Sequence, residues 1–275
     1  MKSRPAALII SIALFFAAAL SGNPASYFLR VSQNRPYGVA FGKSGCMYMV
    51  TAPPTGPGTL SKVNPSGDVV QIAVLDGTFI GPGITLDKKG NALITVGDKL
   101  LSISPEGVTT TVQEGFSRCF DVKLDERGNI YVADDGKGIV YRINPEKRRE
   151  IFYQSDTVGS FRLTGICFDR GSAHLFVRDG HRLLRFRIGP DDRPAKPEVL
   201  LESIDVFYLC GDRQNMIYAS TAKNVLRIRI HGQAETLSVI DLNVPVGLAP
   251  GGEGFDKNCL YVAVADGIVK VPLGK

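Results

Sequence analysis

Acidic residues return at one point of a repeating pattern: Asp98, the pair Asp134 and Asp135, Asp179 and Asp266. Thr51 and Thr221 stand nearby in the two remaining copies. Carboxylates gathered round a common axis could hold a cation or activate a water molecule. The alternative is structural, because an Asp in an Asp-Gly turn caps that turn by accepting its backbone N–H groups. His181, in Arg178-Asp179-Gly180-His181-Arg182, is the best-placed general base, whereas His174 at a strand start and His231 in a turn suit surface positions. Cys119 is the candidate reactive thiol, since it immediately precedes Phe120 at the expected pocket mouth, although the local sequence supplies no histidine to activate it. There is no G-x-S-x-G elbow, H-E-x-x-H pair, Walker motif or dinucleotide fingerprint.

The elements that must position these residues are short strands. In Arg118 to Glu146, an apolar run (Phe120 to Leu124) meets the turn Asp125-Glu126-Arg127-Gly128-Asn129, and an alternating run (Ile130 to Ala133) meets Asp134-Asp135-Gly136. A third run, Ile139 to Ile143, ends at Asn144-Pro145. Apolar runs separated by Gly, Asp and Asn turns read as an antiparallel meander. The pattern recurs from Tyr37, Pro82, Thr164, Val206 and Val246, with a fourth, more polar strand in most copies, such as Val69 to Leu75. A period of roughly 40 residues is the length of one propeller blade. The expected fold is an all-β, six-bladed β-propeller. Its sixth copy lacks an outer strand, and Tyr27-Phe28-Leu29-Arg30-Val31 belongs to no copy, so that segment is expected to close the last blade and remove its open edge.

The chain starts differently. Lys2 and Arg4 precede the apolar run Ala6 to Leu20 and the small-residue exit Ser21-Gly22-Asn23-Pro24-Ala25, the layout of a signal peptide. Residues 1–25 are therefore read as the signal and 26–275 as the propeller, with a secreted or periplasmic destination. An uncleaved anchor, the alternative, would be the only membrane attachment. The formal charge of +5 falls by two without Lys2 and Arg4, too small a surplus to argue for nucleic acid. Arg185, Arg187, Arg227 and Arg229 alternate with apolar residues and read as solvated strand faces. The five cysteines contain no C-x-x-C pair and imply no disulfide framework.

The motifs GITLDKKGNALIT, DVKLDERGNIYVADDGKGIVYRINPE and NCLYVAVADGIVKV resemble the gluconolactonase and senescence-marker-protein (regucalcin) family and, more loosely, NHL-repeat propellers. The resemblance spans residues 27 to 275. It implies a metal-dependent lactonase site made of Glu, Asn and Asp at the mouths of the inner strands. The matching positions here are Tyr37, Pro82, Phe120, Thr164, Val206 and Val246, none of them a carboxylate or an amide. Arg118-Cys119-Phe120-Asp121 keeps the layout of the family's Arg-x-Asn-Asp segment with Phe120 where the Asn would stand. A divalent cation needs convergent oxygen or nitrogen ligands, so no metal ligand or cofactor is assigned.

Three readings follow. The first is a monomeric, exported propeller with a degenerate metal site that binds a small apolar or aromatic molecule between Tyr37, Phe120, Thr164, Val206 and Val246, with Cys119 beside them. The second is a lactone or ester hydrolase rebuilt from Asp121, Asp134, Asp179 and His181. The third is an NHL-type scaffold for protein partners.

Overall fold

The computed structural model describes residues 25–274 except 33, 78, 80, 82, 158, 160, 190–193, 213 and 240–246; the side chains of 238 and 239 also go undescribed. The signal segment, Pro82 and Val246 thus lie outside the described residues, apart from Ala25. Strands pair into six antiparallel four-stranded sheets. Five are contiguous in sequence, each running from an inner to an outer strand. The inner strands, in blade order, are Arg35–Phe41, Ile84–Leu86, Cys119–Leu124, Ile166–Phe168, Leu209–Gly211 and Leu248–Pro250.

Burial explains the run lengths. Each sheet packs both faces against neighbouring blades, so second strands such as Met47–Ala52, Ala92–Val96 and Cys259–Val264 are buried at every residue and read as apolar runs. Outer strands lie largely in solvent; Thr109–Glu114 reads as polar accordingly, whereas Val69–Leu75, expected to be the more polar strand, is apolar at six of its seven residues. In the second to fifth blades the turns between first and second strands share one device, an Asp that caps the turn. Asp125 Oδ1 accepts the N–H groups of Arg127 and Asn129 at 2.9 and 2.8 Å, and its Oδ2 accepts Asn129 Nδ2 at 2.7 Å. Asp87 does the same with Lys89 and Asn91. In the fourth blade His174 takes the place of that Asn, its Nδ1 lying 2.7 Å from Asp169 Oδ2.

The sixth blade is closed by Ser26–Arg30, antiparallel to Gly267–Pro272 from Ser26 opposite Lys270 to Arg30 opposite Gly267. Val31 N–H adds a bond to Asp266 O at 2.9 Å. Phe28 packs edge-on against Phe255 and Tyr261, and Phe41 of the first blade against the same two rings, so one aromatic cluster fixes the seam. Asp266 serves this closure, accepting Tyr27 Oη at 2.7 Å and Arg30 Nη1 at 2.9 Å.

The reading of the alternating arginines needs correction. Arg185 and Arg227 are largely buried; they donate to the carbonyls of Ile230 and Leu273 in the next blade at 2.6 and 3.0 Å, as well as pairing with Glu198 and Glu235. They tie blades together, and only Arg187 and Arg229 face solvent. All five cysteines are free thiols.

Candidate functional site

Where the inner strands come closest to the axis, the ladder registers place Gly38, Gly83, Asp121, Gly165, Tyr208 and Gly247 at one level. Four of the six carry no side chain because the backbones nearly touch. A Cβ on Gly83 would meet Asp121 Cα at 2.5 Å, and one on Gly165 would meet Phe207 O at 2.6 Å. Gly247 N–H even donates to Tyr37 O at 2.7 Å, joining the sixth inner strand to the first. Asp121 and Tyr208 are the two side chains within this ring.

Asp121 is 2% exposed. Its Oδ1 accepts Val122 N–H at 2.8 Å and Lys123 Nζ at 2.5 Å, and its Oδ2 accepts Ile166 N–H of the next blade at 3.0 Å. Burial pushes the carboxyl up, against the opposing pull of Lys123 and the two N–H groups. From this ring towards the C-terminal ends of the inner strands runs an axial cavity of about 280 Å³. Its walls include Ala40, Phe41, Ile84, Leu86, Leu248 and Pro250, and Thr85, Asp121, Lys123, Tyr208 and Cys210 are the lining side chains that carry a polar atom.

On the other side of the ring lies the mouth, built by β-bulges. Register shifts between Pro36 and Gly38 and between Cys119 and Asp121 leave Tyr37 and Phe120 outside the ladder, the usual means by which a strand re-aims one side chain. Phe120 is 4% exposed and packs against Tyr208 and Phe161, each at 5.9 Å between ring centroids. Three arginines lie over rings here: Arg35 over Tyr37, Arg118 over Phe161 and Arg178 over Phe207, at 5.4, 5.1 and 5.7 Å.

The cavity lies beyond the ring, and Tyr37, Phe120, Thr164 and Val206 are not among its walls. In the fifth blade the register also shifts by one: Ser220 N–H donates to Tyr208 O, as Arg178 N–H does to Gly165 O, so Phe207 and not Val206 matches Phe120 and Thr164. The shift runs away from Asp205. The donor set at Tyr37, Phe120, Thr164 and Phe207 does not fit a divalent cation: two phenyl rings, a phenol and one buried hydroxyl replace the expected carboxylates and amides. No group of three or more His, Cys, Asp or Glu among the described residues is placed to hold a metal ion.

The loop carboxylates are committed elsewhere. Asp134 is fully buried and accepts the N–H groups of Ser117 and Arg118, both at 2.9 Å. Asp135 accepts three consecutive N–H groups, Phe161 to Leu163, and pairs with Arg118, anchoring the loop that leads into the fourth blade. Asp179 is fully buried too, and accepts Tyr153 Oη, Ser155 Oγ and Arg182 Nη2 at 2.7, 2.6 and 2.9 Å. His181 is exposed, and no hydrogen bond ties its imidazole to any of these acids. The structure thus does not assemble Asp121, Asp134, Asp179 and His181 into one site. Burial, with Asp134 and Asp98 nearby, pushes the Cys119 thiol far up, which leaves it protonated at neutral pH and a poor nucleophile. Lys123, Tyr208 and Arg178 are the residues that sequence reasoning missed; the Lys two positions after Asp121 and the Arg before Asp179 both break the small or apolar pattern of the other copies.

Solved structures with this arrangement include XC5397 from Xanthomonas campestris, a gluconolactonase, at TM-score 0.73 and 14% identity over 92% of this chain and 96% of that one. A luciferin-regenerating enzyme aligns at TM-score 0.69 and 14% identity, over 88% and 92% of the two chains. The architecture is that of a gluconolactonase-like propeller. An auxiliary nutrient binding protein from Bacteroides thetaiotaomicron shares it at TM-score 0.70 and 11% identity, over 90% of this chain and 75% of that one. No protein-family model matches the sequence, and no curated protein matches it. At these identities the likeness establishes the fold and leaves the site to be read from its own residues.

Proposed function

We propose that this is an exported gluconolactonase-like propeller that binds a small, uncharged, largely apolar organic molecule in its axial cavity. The observation that carries the reading is the composition of that cavity: mostly apolar walls with a few polar groups, of which the one lysine is already paired with Asp121 at 2.5 Å. An apolar pocket with few fixed polar groups is the usual form of a small-molecule site. Its size, just under the common range of about 300–1,000 Å³, suits a single small ring rather than an extended chain. Export is supported by the charged, then apolar, then small-residue start of the sequence. Neighbours of this fold include both a gluconolactonase and a nutrient binding protein, and the commitment of Asp134 and Asp179 to backbone and hydroxyl partners favours binding over hydrolysis.

The test is a thermal-unfolding screen with neutral monocyclic compounds, run on the protein and on Ala249→Phe, which enlarges a further residue of the cavity lining. At least one compound class should raise Tm in the former and not in the latter. Absence of any shift, or equal shifts in both proteins, would remove the cavity as the binding site.

A further inference from the structure

We propose that Arg178, with the hydroxyl of Thr164, forms an oxyanion site at the mouth of the axial channel, and that its ligand is a carboxylate carried by a small molecule. The site lies across the glycine ring from the cavity and does not depend on it.

The six-fold repeat supplies the control. The equivalents of Arg178 in the other second strands are Val50, Thr95, Ala133, Ser220 and Ala263, as the ladder registers show. All five are small or compact. A guanidinium there is the exception, and it is accommodated opposite Gly165, whose carbonyl accepts the Arg178 N–H at 2.9 Å.

The guanidinium is not satisfied from within the protein. Arg178 is 5% exposed, and its Nε and Nη1 are buried with no acceptor. The nearest carboxylate, Asp205 Oδ1, stands 3.8 Å from Nη2, beyond hydrogen-bonding distance, on a side chain that is 67% exposed. The Phe207 ring supports the cation from one side at 5.7 Å without taking any of its donors. Burying a charge without hydrogen bonds is costly, and native structures seldom leave such groups without a partner. One residue from Gly165, Thr164 is fully buried and its Oγ1 likewise has no partner. Two orphaned polar groups thus flank one rung of one strand pair, and an acceptor arriving from outside would complete both.

The surrounding charges select the class of anion. Burial lowers the Arg178 pKa against the opposing influence of three carboxylates, Asp205, Asp135 and Asp179. A phosphate dianion would meet these carboxylates, whereas a planar monoanion matches the guanidinium with less repulsion. The exposed ring of Phe161 and the half-buried ring of Phe207 leave an apolar surface for the rest of the ligand.

Thermal unfolding at fixed ionic strength, with benzoate, benzamide and inorganic phosphate as probes, tests this. Saturating benzoate should raise Tm by about 2–4 °C. The rise should vanish in Arg178→Met and persist in Ala249→Phe, which separates this site from the cavity. A benzoate response that survives in Arg178→Met, its absence from the unaltered protein, or a larger response to phosphate would each overturn the assignment. Should Arg178→Met not fold, Asp205→Asn decides: removal of the competing carboxylate should enlarge the benzoate response. A lowered Tm with no enlarged response would mean that Asp205 is the true partner of Arg178.

Discussion

Asp121 Oδ2 accepts the backbone N–H of Ile166 at 3.0 Å, so a side chain of the third blade completes a hydrogen bond that the fourth blade leaves open. The same carboxylate holds Lys123 at 2.5 Å inside the axial cavity. Asp121→Ala would strand the Ile166 N–H and leave the amine without its counter-charge. Equilibrium unfolding in urea should show a loss of about 2–4 kcal/mol, somewhat below the figure for a fully buried pair because Lys123 keeps part of its side chain in solvent. A loss under about 1 kcal/mol, within the range of an exposed pair, would mean that the pair is ornamental.

The upward push on Asp121 has a sign in pH. A carboxyl whose native pKa lies above its unfolded value holds its proton in the folded state after the unfolded chain has released it. Stability from this group is fullest below the unfolded value, near pH 4, falls as pH rises through the native value, and is level beyond. Asp121→Asn has no proton to release. The stability of the unaltered protein minus that of the variant should therefore decrease with rising pH. A difference that increases would show that Lys123 outweighs burial and holds the native pKa down.

Gly165 tests the close approach of the inner strands. Its missing Cβ would sit 2.6 Å from Phe207 O and 3.1 Å from both Leu209 N and Tyr208 Cα, all backbone atoms that no rotamer change can move. Gly165→Ala should cost about 1–3 kcal/mol through forced separation of the fourth and fifth blades. Gly67→Ala offers a contrast: nothing lies within 4 Å of its Cβ, so any penalty there comes from its positive φ of 94° alone. Urea midpoints of the two variants would separate packing from backbone strain, and equal or smaller loss at Gly165 would contradict the tight ring.

The blades were legible because each turn repeats its own chemistry. Asp87 with Asn91 and Asp125 with Asn129 mark the same bend, and the capping role is visible in the residue types alone. The closing strand was legible for a topological reason, since one copy lacked an edge and one segment lacked a sheet. The site was less so. Phe207 has the right residue type, but a single extra residue in the approach to the fifth blade shifts the register, and no local signal marks it. Asp134 and Asp179 recur as a catalytic set would, yet besides near neighbours such as Arg182 they hold backbone N–H groups and hydroxyls 16 to 26 residues away along the chain, which pattern alone does not reveal. The thiol of Cys119 lost its promise to burial, a property of the assembled blades.

The seam between the first and last blades depends on Phe28, which is half-buried against Phe255 and Tyr261. Phe28→Ala should lower stability by about 2 kcal/mol, less than the loss at a wholly buried Phe. Hydrogen exchange should locate the damage: amides of residues 267–270, which face this strand, should lose protection before those of the third blade. Uniform loss of protection across all blades would mean that the ring opens everywhere at once and that the seam is no weaker than the rest.

Divalent cations give the last prediction. A site occupied at about 100 times its Kd adds roughly 2.7 kcal/mol, enough to move Tm by several degrees in a chain of this size. The ring residues here offer Asp121 as a carboxylate, and its oxygens already hold Val122 N–H, Lys123 Nζ and Ile166 N–H. A cation would have to displace an ammonium group and break a bond between blades to reach it. Ca²⁺, Mg²⁺, Mn²⁺ and Zn²⁺, each compared with chelator, should therefore leave Tm within about 1 °C of its starting value, a change worth well under 1 kcal/mol. In Lys123→Ala the amine no longer competes for Oδ1, and any cation response should appear there first. A clear shift in the unaltered protein would instead place ligands among the residues of the mouth, and would put a metal-dependent hydrolase ahead of the binding reading.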